Sequence, residues 1–200
     1  MPVFIFDLGK VLVDFDYAIA AGKLAARSAI TPADLHAFLG RSPLLVDYES
    51  GRLTRQEFYD AIGSAIGFHG DPAEFSGFFA AIFTEIPGMI ALHAELRARG
   101  FKTYIFSNTN DLHIEHIRRD YPFFANFDGY IFSHEVGAMK PLPAIYDAME
   151  QMCGHTGADM IYMDDRAENV AAGAARGWRA ILHETPEQTR AALAGMGIGI

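Results

Sequence analysis

Val3-Phe4-Ile5-Phe6-Asp7-Leu8-Gly9-Lys10-Val11 lies at the start of the chain, and its reading decides the fold. Four apolar, β-prone residues run into a carboxylate, and a glycine follows two positions on. A short apolar run closed by a turn residue reads as a buried strand. In an open α/β sheet the carboxyl ends of such strands border the crevice where ligands bind. Asp7 is therefore expected at that edge, and its meaning depends on how the other strands end.

Downstream, residues 87–200 alternate between helical and strand patterns. A helix over 88–99 closed by Gly100 precedes a strand over Lys102–Phe106 that ends at Ser107-Asn108. A helix from Asp111 to Arg119 leads to a strand over Gly129–Phe132 and a loop carrying Met139-Lys140-Pro141. A helix over Pro143–Met152 then leads to a strand over Met160–Met163 that runs into Asp164-Asp165. An Ala/Gly-rich helix to Gly177, a strand over Arg179–Leu182 and a helix from Pro186 complete the pattern. Strands separated by single helices imply right-handed crossovers and a parallel sheet.

Residues 17–86 have another texture, with helical signals and no convincing strand. Thr31-Pro32 caps a helix through Phe38, and Thr54-Arg55-Gln56-Glu57 is a capping box before Phe58, Ile62 and Ile66. Asp71-Pro72-Ala73-Glu74 opens a further helix carrying Phe75, Phe78, Phe79, Ile82 and Phe83. The expected fold class is α/β, a doubly wound parallel-sheet core over residues 1–16 and 87–200 with an inserted α-helical cap over 17–86.

The strand ends can now be read together, because a parallel sheet brings them to one rim. Asp7, Ser107, Asn108, Lys140, Asp164 and Asp165 all fall there. Clustered carboxylates repel unless a cation sits among them. Hard oxygen donors suit Mg²⁺, which takes one or two carboxylates, a phosphate and waters. A hydroxyl, an amide and an ammonium suit phosphoryl oxygens. The set describes metal-assisted phosphoryl transfer.

These motifs resemble those of the haloacid dehalogenase-like hydrolases over nearly the whole chain. Asp7-Leu8-Gly9-Lys10-Val11 is similar to the first family motif, Ser107-Asn108 to the second, and Lys140 before Pro141 to the third. Asp164-Asp165 ahead of Glu168-Asn169-Val170 is similar to the acidic fourth. The wider phrasing, with Val11-Leu12-Val13-Asp14-Phe15-Asp16 and Ser107-Asn108-Thr109-Asn110, resembles the bacterial branch containing an α-D-glucose-1-phosphate phosphatase. The resemblance implies a Rossmann-like core and a helical cap between the first and second motifs. It further implies that Asp7 is a nucleophile forming an aspartyl-phosphate. Mg²⁺ would be held by Asp7, Asp165 and the Gly9 carbonyl, with Asp164 behind them. Ser107, Asn108 and Lys140 would hold the phosphoryl group of a small phosphorylated metabolite.

One position departs from the family pattern. Most phosphatases of this family carry a general acid–base Asp two residues after the nucleophile, and here that residue is Gly9. The loss matters least for a leaving group that departs easily, such as the anomeric hydroxyl of a sugar 1-phosphate. Asp14, Asp16 or a cap histidine could replace the acid, and Lys10 replaces a usual glycine. Two alternatives follow: a catalytically weak binding protein, or a metal-independent haloacid dehalogenase, against which the Asp164-Asp165 pair argues.

Composition bounds the rest. A formal charge of −9 with a pI near 5.3 disfavours a nucleic acid or an anionic membrane as partner. Cys153 is the single cysteine, which excludes an internal disulfide and points to a reducing, cytoplasmic setting. The N-terminal apolar run lacks a basic flank and is cut by Asp7, unlike a signal peptide. Among the eight histidines no metal-ligand spacing stands out, and His113 and His116 are expected on a helix surface.

Overall fold

The computed structural model describes residues 1–199. Ile200, where the expected core ends, lies outside the described residues. Strand β1 (Val3–Phe6) is followed by β2 (Val13–Phe15), then by helices α1 (Tyr17–Ala25), α2 (Pro32–Arg41), α3 (Pro43–Glu49), α4 (Arg55–Ile66) and α5 (Pro72–Ala80). Strand β3 (Phe83–Glu85) leads to α6 (Pro87–Ala98), β4 (Thr103–Ser107), α7 (Asp111–Asp120), β5 (Gly129–Phe132) and α8 (Ser133–Val136). The chain ends with α9 (Pro143–Cys153), β6 (Met160–Asp164), α10 (Ala167–Ala175), β7 (Arg179–Leu182) and α11 (Pro186–Gly195).

Five strands form one parallel sheet in the order β5-β4-β1-β6-β7. Relative to chain order within the sheet, the succession reverses at β1, the doubly wound arrangement whose crevice opens at that switch point. β1 is central because both its faces are apolar. Phe4 and Phe6 pack with Leu92 and Leu96 of α6 and Ile117 of α7, while Val3 and Ile5 pack with Ile145, Tyr146 and Met149 of α9. Each fully buried side chain of this size contributes about 1.5–3 kcal/mol relative to exposure. A strand buried on both sides reads as a continuous apolar run, which is why this stretch reveals the fold.

The helices α1–α5 gather around a second apolar cluster that includes Leu24, Leu35, Phe58, Ile62, Phe75 and Phe79. The caps expected at Thr31, Thr54 and Asp71 are present, and Ser42 adds one that was not expected. Thr54 and Glu57 make the reciprocal capping box, and Thr31, Ser42 and Asp71 cap helices with proline in the first turn. Asp16 caps α1, accepting from the Ala18 N–H at 2.8 Å.

Two sequence expectations need correction. Residues 17–86 do contain a strand, because β3 pairs antiparallel with β2, Phe15 lying opposite Phe83. The helix expected to run through Phe83 stops at Ala80. Ala81 leaves helical geometry with ψ 63, and the Ile82 carbonyl accepts from the Asp16 N–H at 3.1 Å instead. Three-residue strands are too short to show a period, so the ribbon between core and helices is invisible to pattern reading. Also, His113 is buried rather than on the surface. The helical unit covers that face of α7, Leu112 joins its apolar cluster, and the His113 ring stacks on Phe79 with centroids 4.9 Å apart. Cys153 ends α9, and Trp178 is buried beside β7, where it donates to Glu150 at 2.9 Å. Among the described residues no helix is long and apolar enough to cross a membrane.

Candidate active site

Asp7 follows β1 directly, and its N–H donates to the Met163 carbonyl of β6 at 2.9 Å, which fixes it at the switch point. Its Oδ1 accepts from the Leu8 N–H at 2.7 Å and lies 3.0 Å from the Lys140 ammonium. That ammonium also donates to Asp164 Oδ2 at 2.7 Å and to the Phe106 carbonyl at 2.8 Å, so all three of its N–H donors are engaged. Lys140 is placed by Asn108, whose side chain accepts from the Lys140 N–H at 2.7 Å and donates to the Lys140 carbonyl at 3.0 Å. The amide of Asn108 thus clamps the lysine loop. Ser107 ends β4 with its hydroxyl only weakly engaged, at 3.4 Å from the Asn108 carbonyl.

Asp164 is fully buried and saturated. Besides Lys140 it accepts from the Tyr162 hydroxyl, the Arg166 N–H at 2.8 Å and the Asn169 amide at 3.0 Å. Burial opposes its charge, but Lys140 and these donors outweigh it and hold the carboxyl below the ordinary range. Asp165 is half-buried and pushed up by burial and by the charge of Asp164. Burial likewise pushes Asp7 up to about 8, with Lys140 opposing and Asp164 adding. Lys140 stays protonated, because the attraction of the two carboxylates outweighs its burial.

The donor set suits a divalent cation. Ligand atoms of Asp7, Asp164 and Asp165 all lie within 4.8 Å of one another. With all three ionised, the carboxylates share one ammonium and fall two positive charges short, the deficit a dication would fill. The Gly9 carbonyl, on the wall of the same cleft, accepts no hydrogen bond among the described residues. Asn169 Oδ1 is buried without a partner and lines the cleft, which suits an acceptor for a water of a hydrated ion.

Around these groups is a cleft of about 220 Å³ whose walls include Asp7, Gly9, Ser107, Asn108, Lys140 and Asp165, six of the residues singled out from sequence. A neighbouring hollow of about 60 Å³ is lined by Gly9, Phe15, Tyr17, Glu49, Phe83 and His113 among others. Lys10, in a left-handed conformation with φ 60, also borders the cleft, its ammonium paired with Asp14. Sequence reasoning missed several wall residues, among them Phe15, Tyr17, Leu45, Glu49, His113 and Arg166. Only Glu49 left a local signal, a carboxylate in the last position of a helix, where the dipole disfavours negative charge.

Gly9 has a steric reason. A Cβ built there would meet the Phe15 ring at 2.9 Å, and that ring packs against Tyr17 and Phe83. The space beside residue 9 is therefore filled by an aromatic side chain. Gly9→Asp is expected to lower stability by about 1–3 kcal/mol through overpacking. Thermal unfolding in a double-mutant cycle with Phe15→Ala should show the two changes offsetting each other by about 1 kcal/mol. Additive losses would mean that the ring is not the obstacle.

A family model for haloacid dehalogenase-like hydrolases matches residues 1–177. The chain belongs to that family. This haloacid dehalogenase-like hydrolase is 26% identical over 180 residues to a sesquiterpene phosphatase of Aspergillus oryzae, covering 86% of this chain and 85% of that one. It is 25% identical over 178 residues to a D-ribitol-5-phosphate phosphatase of Bacteroides thetaiotaomicron, covering 84% and 85% of the two chains. The fold is shared with a haloacid dehalogenase family enzyme of Bacteroides thetaiotaomicron crystallised with magnesium and inorganic phosphate. The TM-score is 0.82 at 20% identity, over 92% of this chain and 95% of that one.

Proposed function

We propose that this hydrolase is a Mg²⁺-dependent phosphatase that acts on a small phosphorylated metabolite, a sugar phosphate being one class that fits, through an aspartyl-phosphate on Asp7. The observation that carries this reading is the convergence of Asp7, Asp164 and Asp165 around a single buried ammonium, two positive charges short of balance when all three are ionised. The phosphatase names among its relatives support it.

In this reading the carboxylates of Asp7 and Asp165 and the carbonyl of Gly9 hold Mg²⁺, with Asp164 keeping Lys140 in place behind them. The ion supplies positive charge opposite the phosphoryl oxygens. Asp7 attacks phosphorus in line with the leaving oxygen. The Ser107 hydroxyl donates to a phosphoryl oxygen. Lys140, its donors engaged, stabilises developing charge through its field, and Asn108 holds it at that distance. The helical unit over residues 17–86 serves as a cap, and a cleft of about 220 Å³ admits a small metabolite rather than a protein side chain on its backbone.

The test is phosphate release from p-nitrophenyl phosphate and a panel of sugar phosphates. Chelation by EDTA should reduce turnover to background, and millimolar Mg²⁺ should restore it. The Phe15 ring beside Gly9 favours a second reading, a binding protein of feeble turnover. No release above that of Asp7→Asn from any ester would favour it, and metal-free halide release from a haloacid would favour a dehalogenase.

A further inference from the structure

We propose that Glu49, the last residue of α3, is the acid that protonates the leaving oxygen and the base that later activates water. The proposal rests on the phosphatase reading above. In-line attack from Asp7 expels the leaving oxygen away from the strand ends, toward the helical unit. Tyr17, Leu45 and Glu49 are the residues this unit contributes to the wall of the cleft, and Glu49 also lines the adjoining hollow. Burial and the nearby charge of Glu49 push the Tyr17 hydroxyl well above its ordinary range, which makes it a poor donor.

Of the other ionisable groups around the cleft, Asp7 and Asp165 are assigned above to the nucleophile and the metal. Burial holds His113, in the adjoining hollow, down to about 3, so that it carries no proton to give near neutrality. Lys140 is held by Asp7, Asp164 and the Phe106 carbonyl, Lys10 pairs with Asp14, and Arg166 pairs with Glu168. The Glu49 carboxyl has no hydrogen-bond partner among the described residues, and the position beside Gly9 is filled by Phe15. Burial raises Glu49 to about 7, Arg166 opposing, and a carboxyl titrating near neutrality serves as both acid and base. Its place is secured from behind. The Glu49 carbonyl accepts from Ser133 Oγ at 2.5 Å, Tyr48 bonds to Asp111, and Gly51, at φ 69, fits against the His134 carbonyl where a Cβ would not.

The steps balance. As Asp7 forms its bond to phosphorus, the bond from phosphorus to the leaving oxygen breaks. That oxygen keeps the electron pair and takes the proton of Glu49. The Glu49 carboxylate then takes a proton from water as the water oxygen attacks phosphorus. The acyl-phosphate bond breaks, Asp7 is regenerated, and inorganic phosphate departs with Glu49 protonated again.

The experiment compares kcat/KM, which reports expulsion of the leaving group, for phenyl phosphate and p-nitrophenyl phosphate. Phenolate needs protonation and p-nitrophenolate does not. Glu49→Gln is expected to lose about 10²-fold or more on phenyl phosphate and less than about tenfold on p-nitrophenyl phosphate. Equal losses, or none, with a wild type that turns over both esters, would overturn the role of Glu49 alone. A wild type no better than Asp7→Asn on either ester would take down the phosphatase reading and this one with it. Should Glu49→Gln not fold, the wild-type ratio of the two rates serves. It should fall as pH rises through about 7, and a flat ratio would overturn the proposal. The ratio cancels titration of Asp7, Asp165, Lys140, Tyr17 and His113, which act on both esters alike.

Discussion

Asp7→Asn should release phosphate from p-nitrophenyl phosphate about 10⁴-fold more slowly than the wild type, or slower still, because the amide cannot form the acyl-phosphate. The substitution leaves the geometry intact. An asparagine oxygen can still accept from the Leu8 N–H and from Lys140, as Oδ1 does now at 2.7 and 3.0 Å. Stability should not fall. The Asp7 carboxyl sits at about 8 in the fold against 3.8 ordinarily, so its ionisation opposes folding at every pH above that lower value. The amide removes that opposition, and the metal-free variant should unfold at or above the wild-type midpoint at pH 7, the difference closing below pH 4. Residual activity above about one per cent of wild type would exclude Asp7 as nucleophile.

How much of this was legible in the sequence follows from which contacts are local. The run Val3–Phe6 is buried on both faces and so carries the fold in four letters. Strand ends converge by topology alone, so Asp7, Ser107, Lys140, Asp164 and Asp165 could be placed together without any knowledge of side-chain packing. What stayed hidden depends on contacts between the helical unit and the core. Glu49 reaches the cleft only because α3 ends against Ser133, and His113 is buried only because Phe79 stacks on it. The Phe15 ring fills the space beside Gly9 because β2 pairs with β3, an arrangement no periodicity records. Asn108 is instructive in another way. Its position at a strand end was readable, but its clamp on the Lys140 main chain depends on two loops meeting.

Lys140→Met should be the most destabilising change at the site. The side chain is 1% exposed and its ammonium separates two buried carboxylates. Methionine matches its length but leaves Asp7 and Asp164 facing each other uncompensated, a loss of about 3–5 kcal/mol. For a chain of this size each kcal/mol lowers the midpoint by roughly 2–4 °C, so a fall of about 6–20 °C is expected in metal-free protein at pH 7. The pH dependence identifies the cause. The raised value of Lys140 means that its contribution is complete below 10.5 and is lost only above it, so the lysine itself adds no slope near neutrality. Asp164, held below 3.8 in the wild type, contributes stability above that value and loses it as pH falls. Without the ammonium the sign reverses for Asp164, and the opposition from Asp7 grows. Burial then raises both carboxyls, their ionisation opposes folding, and protonation relieves it. The deficit of the variant should therefore shrink as pH falls from 7 toward 4. Millimolar Mg²⁺ should recover part of the stability at pH 7, since a bound dication replaces the missing charge, but not the activity, since Asp7 loses the partner that orients it. A deficit that is constant with pH, or smaller than about 1 kcal/mol, would mean that the carboxylates are not balanced by this lysine.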